Sequence, residues 1–68
     1  MNRLKDLRIA KNLTLNKMAE MLGVVQRTYQ KYETGEIDPP LSKLLALADY
    51  FDCSLDYLVG RSDDPRRL

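Results

Sequence analysis

Apolar residues recur along the chain at helical rather than alternating spacing, so the pattern predicts helices and no strands. Leu4, Leu7 and Arg8 fall at i, i+3 and i+4, which places a first helix over about Arg3 to Lys11. Asn12 suits the position just past its end, because asparagine tolerates the left-handed conformation better than most residues. Leu13 then returns to the core. Thr14 has the chemistry of an N-cap for a second helix, Leu15 to Leu22, with Met18, Ala19 and Leu22 facing inward, and Gly23 stops it. A third helix is predicted from Gln26 to Glu33, with Tyr29 and Tyr32 turned inward and Thr34-Gly35 closing it. Pro39 and Pro40 interrupt the chain and admit a fourth helix, about Leu41 to Phe51, expected to bury Leu41, Leu44, Leu45, Leu47, Ala48 and Phe51. Ser54 caps a short fifth helix, Leu55 to Val59, with Asp56 placed favourably against its N-terminal dipole, and Gly60 ends it. Arg61 to Leu68 lacks an apolar face and reads as a short flexible tail. The expected architecture is an all-α, compact five-helix bundle over residues 1–60, followed by a tail over 61–68.

A chain of 68 residues has room for one domain. A domain of this size buries only about 60% of the surface its unfolded chain exposes, so its margin of stability is thin. With one cysteine and no histidine, an intrachain disulfide is excluded and no Cys/His zinc set exists, so neither metal nor cofactor is predicted. Self-association is the remaining common source of stability, which makes a homodimer the expectation. Cys53 is predicted to be a small buried hydrophobe rather than a redox sensor. The longest apolar run, Leu44 to Ala48, is far short of the ~20 residues that span a bilayer. The N-terminus carries a charge every few residues and no signal-peptide core, so a cytoplasmic protein without a membrane partner is expected. Enzymatic chemistry finds no support: there is no nucleophile–base pair, no Gly-rich phosphate loop, and the acids are scattered. No small-molecule ligand is predicted.

The net charge of +1 conceals an asymmetry. Residues 1–33 carry seven basic side chains against three acidic ones, whereas residues 34–68 carry four against seven. One half of the molecule is therefore suited to face a polyanion. Within the basic half, small Ala19 lets the second and third helices cross closely, Gly23 turns the chain, and Val24 plugs the angle between them. That is the spacing of a helix-turn-helix, whose second helix lies in the DNA major groove with its N-terminal residues at the base edges. With Tyr29 and Tyr32 inward, Gln26, Arg27, Gln30 and Lys31 face outward. Glutamine pairs bidentately with adenine, and arginine or lysine with guanine. Such residues on a short helix are often only a solvated face; here the turn spacing and the absence of any acid from residue 21 to 32 point to DNA.

Thr14 to Glu33, read as Thr-x-x-x-x-Ala-x-x-Leu-Gly-Val followed by Thr-Tyr-x-x-Tyr-Glu-x-Gly and Pro39, resembles the Cro/phage-repressor (XRE) helix-turn-helix family. Leu47-Ala48-Asp49-Tyr50-Phe51 and Ser54 to Gly60 resemble the last two helices of the same family. The resemblance spans about residues 3 to 60 and implies a lambda-repressor-like five-helix domain. Such domains bind double-stranded DNA as symmetric dimers and usually regulate transcription. It implies base reading by Gln26, Arg27 and Lys31 with Gln30 beside them, and backbone contacts near Thr14, Leu15, Lys17, Thr28 and Thr34. It also implies a structural ion pair between Arg8 and Glu33. Leu55, Leu58 and Val59 on so short a helix cannot all bury within one chain, and with Tyr57 they are the expected dimer contact.

Three positions depart from the family pattern. Val25 stands where Ser or Thr often caps the recognition helix, and is free instead to touch a thymine methyl. Leu15 replaces a frequent phosphate-gripping Gln, which leaves only the backbone N–H at that helix N-terminus. The loop Gly35-Glu36-Ile37-Asp38-Pro39 is acidic where relatives are often basic. These departures motivate the alternative of a protein-interaction module, such as an antitoxin or anti-repressor, that retains the fold.

Overall fold

The computed structural model describes residues 2–67. Among the described residues there are five helices and no strand: α1 (Leu4–Ala10), α2 (Leu15–Leu22), α3 (Gln26–Thr34), α4 (Leu41–Phe51) and α5 (Leu55–Leu58). Local chemistry accounts for most of the boundaries. Thr14 Oγ1 accepts the Lys17 backbone N–H at 3.0 Å and starts α2, and Ser54 Oγ accepts that of Tyr57 at 3.1 Å and starts α5. Asn12 takes φ 57° and ends α1, while Gly23 takes φ 69° and ends α2. At Gly23 the Val24 N–H then reaches back to the Ala19 carbonyl at 3.0 Å, which closes the turn between α2 and α3. Asp52, at φ 53°, ends α4 in the same left-handed conformation, a boundary with no glycine to announce it.

One core joins all five helices. Leu4 of α1, Met18 of α2, Tyr29 of α3, Leu47 of α4 and Leu58 of α5 are its fully buried large side chains. Ala19, Leu22, Tyr32, Ala48, Phe51 and Cys53 complete it, with α2 and α3 making the most extensive helix–helix contact. Burial of Cys53 raises its thiol pKa above the usual value, so it behaves as a core hydrophobe.

Two apolar expectations are corrected by the packing. Leu41 and Leu45 are 65% and 46% exposed rather than buried. The inward stripe of α4 is Leu44, Leu47, Ala48 and Phe51, and a helix lying on a single core covers only a stripe of about 100°. Leu41 and Leu45 sit beyond its edge. Conversely, Leu58 is fully buried in the chain's own core and has no surface left for a partner. Leu55, Tyr57 and Val59 keep partial exposure.

Residues 61–67 fold back along the body. The Asp56 carbonyl accepts the N–H groups of Arg61 and Ser62, and the Pro65 carbonyl accepts that of Ser54 at 3.0 Å. Arg3 fastens this segment to the other end of the chain. Its guanidinium donates to the carbonyls of Tyr57 and Ser62, pairs with Asp63 at 2.7 Å, and lies 4.3 Å from the Tyr57 ring centroid. Arg67 pairs with Asp49 and approaches Asp52 at 3.7 Å.

Candidate nucleic-acid interface

Two tyrosines fix the rotation of α3. Tyr29 and Tyr32 are buried and meet edge to face, ring centroids 6.3 Å apart. One face of the helix is thereby committed to the core. Gln26, Arg27 and Gln30 are left exposed and Lys31 half-buried on the opposite side. Arg27, Gln30 and Lys31 line one shallow groove of about 310 Å³ together with Thr34 and Glu36.

An ion pair braces the same helix from behind. Arg8 Nε donates to Glu33 Oε2 at 2.7 Å and Nη2 to Oε1 at 3.3 Å, a fork-on-fork geometry. Nη1 also donates to the Leu13 carbonyl at 3.0 Å, so one guanidinium ties α1, the α1–α2 turn and α3 together. The side chains are only 14% and 6% exposed. The hydrogen bond to Glu33 outweighs burial and raises the Arg8 pKa, keeping the guanidinium charged. The Tyr29 hydroxyl is buried nearby without a hydrogen-bond partner of good geometry, and burial, followed by the adjacent Glu33 carboxylate, pushes its pKa well above the ordinary tyrosine range.

The positions expected to meet the phosphate backbone differ in how free they are. Lys17 is exposed on α2, and Thr28 is half-buried. Leu15 packs partly against the core, so its contribution to an anion is the N–H of the first turn of α2. The Thr34 hydroxyl is already engaged: it donates to the Lys31 carbonyl at 3.1 Å and accepts the Glu36 N–H at 3.3 Å. Val25 precedes α3 in an extended conformation, offers it no side-chain cap, and stands 69% exposed.

The packing adds two lysines that periodicity does not reveal. Lys5 of α1 shares a second groove, of about 380 Å³, with Arg8, Leu15, Gln30, Glu33 and Thr34, which brings a further lysine beside α3. Lys43 of α4 donates to the Leu22 carbonyl at 2.8 Å and so caps the end of α2. Among the described residues, no group of His, Cys, Asp or Glu is arranged to hold a metal ion, and no helix is long and apolar enough to cross a membrane.

A helix-turn-helix family model matches residues 4–58, the whole of the helical body. The chain belongs to the helix-turn-helix family. Members similar to it include the uncharacterized HTH-type transcriptional regulator YobD of Bacillus subtilis, 44% identical over 63 residues that make up 93% of this chain and 56% of that protein. The cryptic phage CTXphi transcriptional repressor RstR of Vibrio cholerae is 41% identical over 59 residues, 87% of this chain and 53% of RstR. A transcriptional regulator from Listeria innocua has a solved structure that superposes with a TM-score of 0.80 at 42% identity, covering 84% of this chain and 53% of that one. The chain thus spans about half the length of the curated family members it matches.

Proposed function

We propose that this helix-turn-helix chain binds double-stranded DNA and regulates transcription as a repressor, with α3 in the major groove. The observation that carries the reading is the exposed polar face of Gln26, Arg27, Gln30 and Lys31 on a helix whose rotation is locked by buried Tyr29 and Tyr32. Gln26 and Arg27 lie in the first turn of α3, the end that approaches base edges in this docking mode. Lys17, Thr14, Thr28 and the first-turn N–H groups of α2 supply backbone contacts that fix register without reading sequence. Names borne by its relatives, among them a phage repressor, support the regulatory role.

The reading includes a symmetric homodimer on a palindromic site, its half-sites about 34–36 Å apart. Leu55, Tyr57 and Val59 are the proposed contact, and the exposed Leu41 and Leu45 of α4 add apolar surface that the chain itself leaves uncovered. Sedimentation equilibrium of the intact protein and of Val59→Glu tests this: a wild type that stays monomeric at all concentrations removes the dimer.

Selection from random duplexes tests DNA recognition itself. Enrichment of a palindrome is expected, and recovery of no enriched sequence overturns it. The exposed Val25 favours a second reading, in which the same face meets a protein. Salt separates the two, because DNA affinity falls steeply with ionic strength as phosphates shed their counterions. An affinity for duplex DNA that stays flat from low to high salt would favour the protein partner.

A further inference from the structure

The groove beside the reading helix contains one acid among its bases. Glu36 Oε2 lies 3.4 Å from Lys31 Nζ, and both side chains are open to solvent, 63% and 38% exposed. The contact is set by the backbone as much as by charge. The Lys31 carbonyl accepts the N–H of Gly35 at 3.1 Å, that of Ile37 at 3.4 Å, and the Thr34 hydroxyl at 3.1 Å. The Glu36 N–H in turn donates to Thr34 Oγ1 at 3.3 Å. Gly35, at φ 83°, makes the reversal that brings the loop back over the end of α3. Both chain neighbours of Glu36, and the hydroxyl that accepts its N–H, are therefore anchored to the carbonyl of the very lysine whose ammonium it faces.

We infer that Glu36 is an affinity-setting residue of the DNA face, a built-in competitor that occupies Lys31 until DNA displaces it. This rests on the DNA-binding reading and deepens it. Lysine is a single point charge on a flexible stem, so Lys31 cannot serve the carboxylate and a guanine edge or a phosphate at full strength together. Glu36 also adds a negative charge to a groove shared with Arg27 and Gln30, where a phosphate must approach. The loop accordingly lowers affinity for every duplex. It also keeps Lys31 from contributing fully to counterion release.

The test measures fluorescence anisotropy of one fixed mixed-sequence duplex with the full chain, comparing wild type, Glu36→Gln, Lys31→Ala, the double variant and Asp38→Asn. Asp38→Asn removes the same charge from the same exposed loop but not the contact with Lys31. Glu36→Gln is expected to tighten binding by about two- to five-fold beyond Asp38→Asn, the range of an exposed ion pair. Its salt dependence should steepen by up to about 0.9 log units per decade as Lys31 becomes available to a phosphate. In the Lys31→Ala background the extra gain should vanish. Circular dichroism confirms that each variant is folded. No tightening, or a gain that persists undiminished without Lys31, would overturn the inference while leaving DNA binding intact. If no folded variant binds duplex DNA at all, both readings fall.

Discussion

Replacing Arg8 by alanine removes the only cation that, among the described residues, pairs with the nearly buried Glu33 carboxylate. Glu33 is 6% exposed, and it loses both arms of the guanidinium fork while Leu13 loses its donor. Breaking a buried pair from one side costs about 3–5 kcal/mol, because the remaining charge stays desolvated without compensation. Arg8 retains 14% exposure, so water reaches the gap and the lower end, about 3 kcal/mol, is expected. That is comparable to the ~3–5 kcal/mol that a core of this size supplies. At roughly 4–8 °C per kcal/mol for a domain of this length, Tm should fall by at least about 12 °C. Thermal unfolding followed by circular dichroism measures it. The double variant Arg8→Met with Glu33→Leu supplies the contrast. An apolar pair of similar volume in place of a buried ion pair is often neutral or stabilising, so much of the loss should be recovered. A Tm drop of less than about 4 °C for Arg8→Ala would show that solvent screens the pair. A double variant as unstable as the single would show that Arg8 acts through its own packing rather than through Glu33.

Further outcomes follow from other parts of the interface and the core. Arg27→Ala should cost roughly 1–3 kcal/mol of binding and relax preference at one base position, whereas Lys17→Ala should weaken all sequences alike and flatten the salt slope by about 0.9; binding to a panel of single-base operator variants separates them. Val25→Ser restores a side-chain acceptor where α3 has none, on the same extended backbone that Thr14 and Ser54 use as caps, and should raise stability by about 0.5–2 kcal/mol in urea unfolding; no gain would refute the missing-cap reading. Burial raises the thiol pKa of Cys53 in the folded chain. Stability should therefore be fully retained below the unfolded thiol's value of about 8.5 and decline as pH rises above it, through the folded value. Cys53→Ser should remove the thiol's share of that alkaline decline, and an unchanged profile would refute the assignment.

Much of the helix-turn-helix is legible in the residues because its determinants are local. Thr14, Gly23 and Ser54 act within one turn of their own helix, and the apolar repeat that turns Tyr29 and Tyr32 inward acts along one axis. With Asn12, Gly35 and the Pro39-Pro40 pair added to these, α2 and α4 emerge with their observed bounds, and α1, α3 and α5 come within one residue at each end. The outward face of α3 follows as the complement of its two tyrosines.

What sequence periodicity does not specify is which of two neighbouring apolar stripes meets the core, because that depends on where the other helix axes lie. Leu41 and Leu45 satisfy the same repeat as Leu44 and Leu47, yet only the second pair lies against the body, and Leu58 is wholly enclosed although its helix is four residues long. Apart from the Arg8–Glu33 pair, which the family resemblance implied, the non-local polar contacts were equally out of reach. Arg3 closing onto Ser62 and Asp63 and Lys43 capping α2 from α4 join residues far apart in the chain, and packing likewise sets Lys5 in one groove with Leu15 and Gln30. Even Lys31 and Glu36, five positions apart, meet only because Gly35 reverses the chain after the last turn of α3. The sequence by itself determined the helices, most of their caps and which polar residues α3 turns outward. The tertiary fold decided which of those residues are free, because freedom at a surface depends on every neighbour that packing brings within reach.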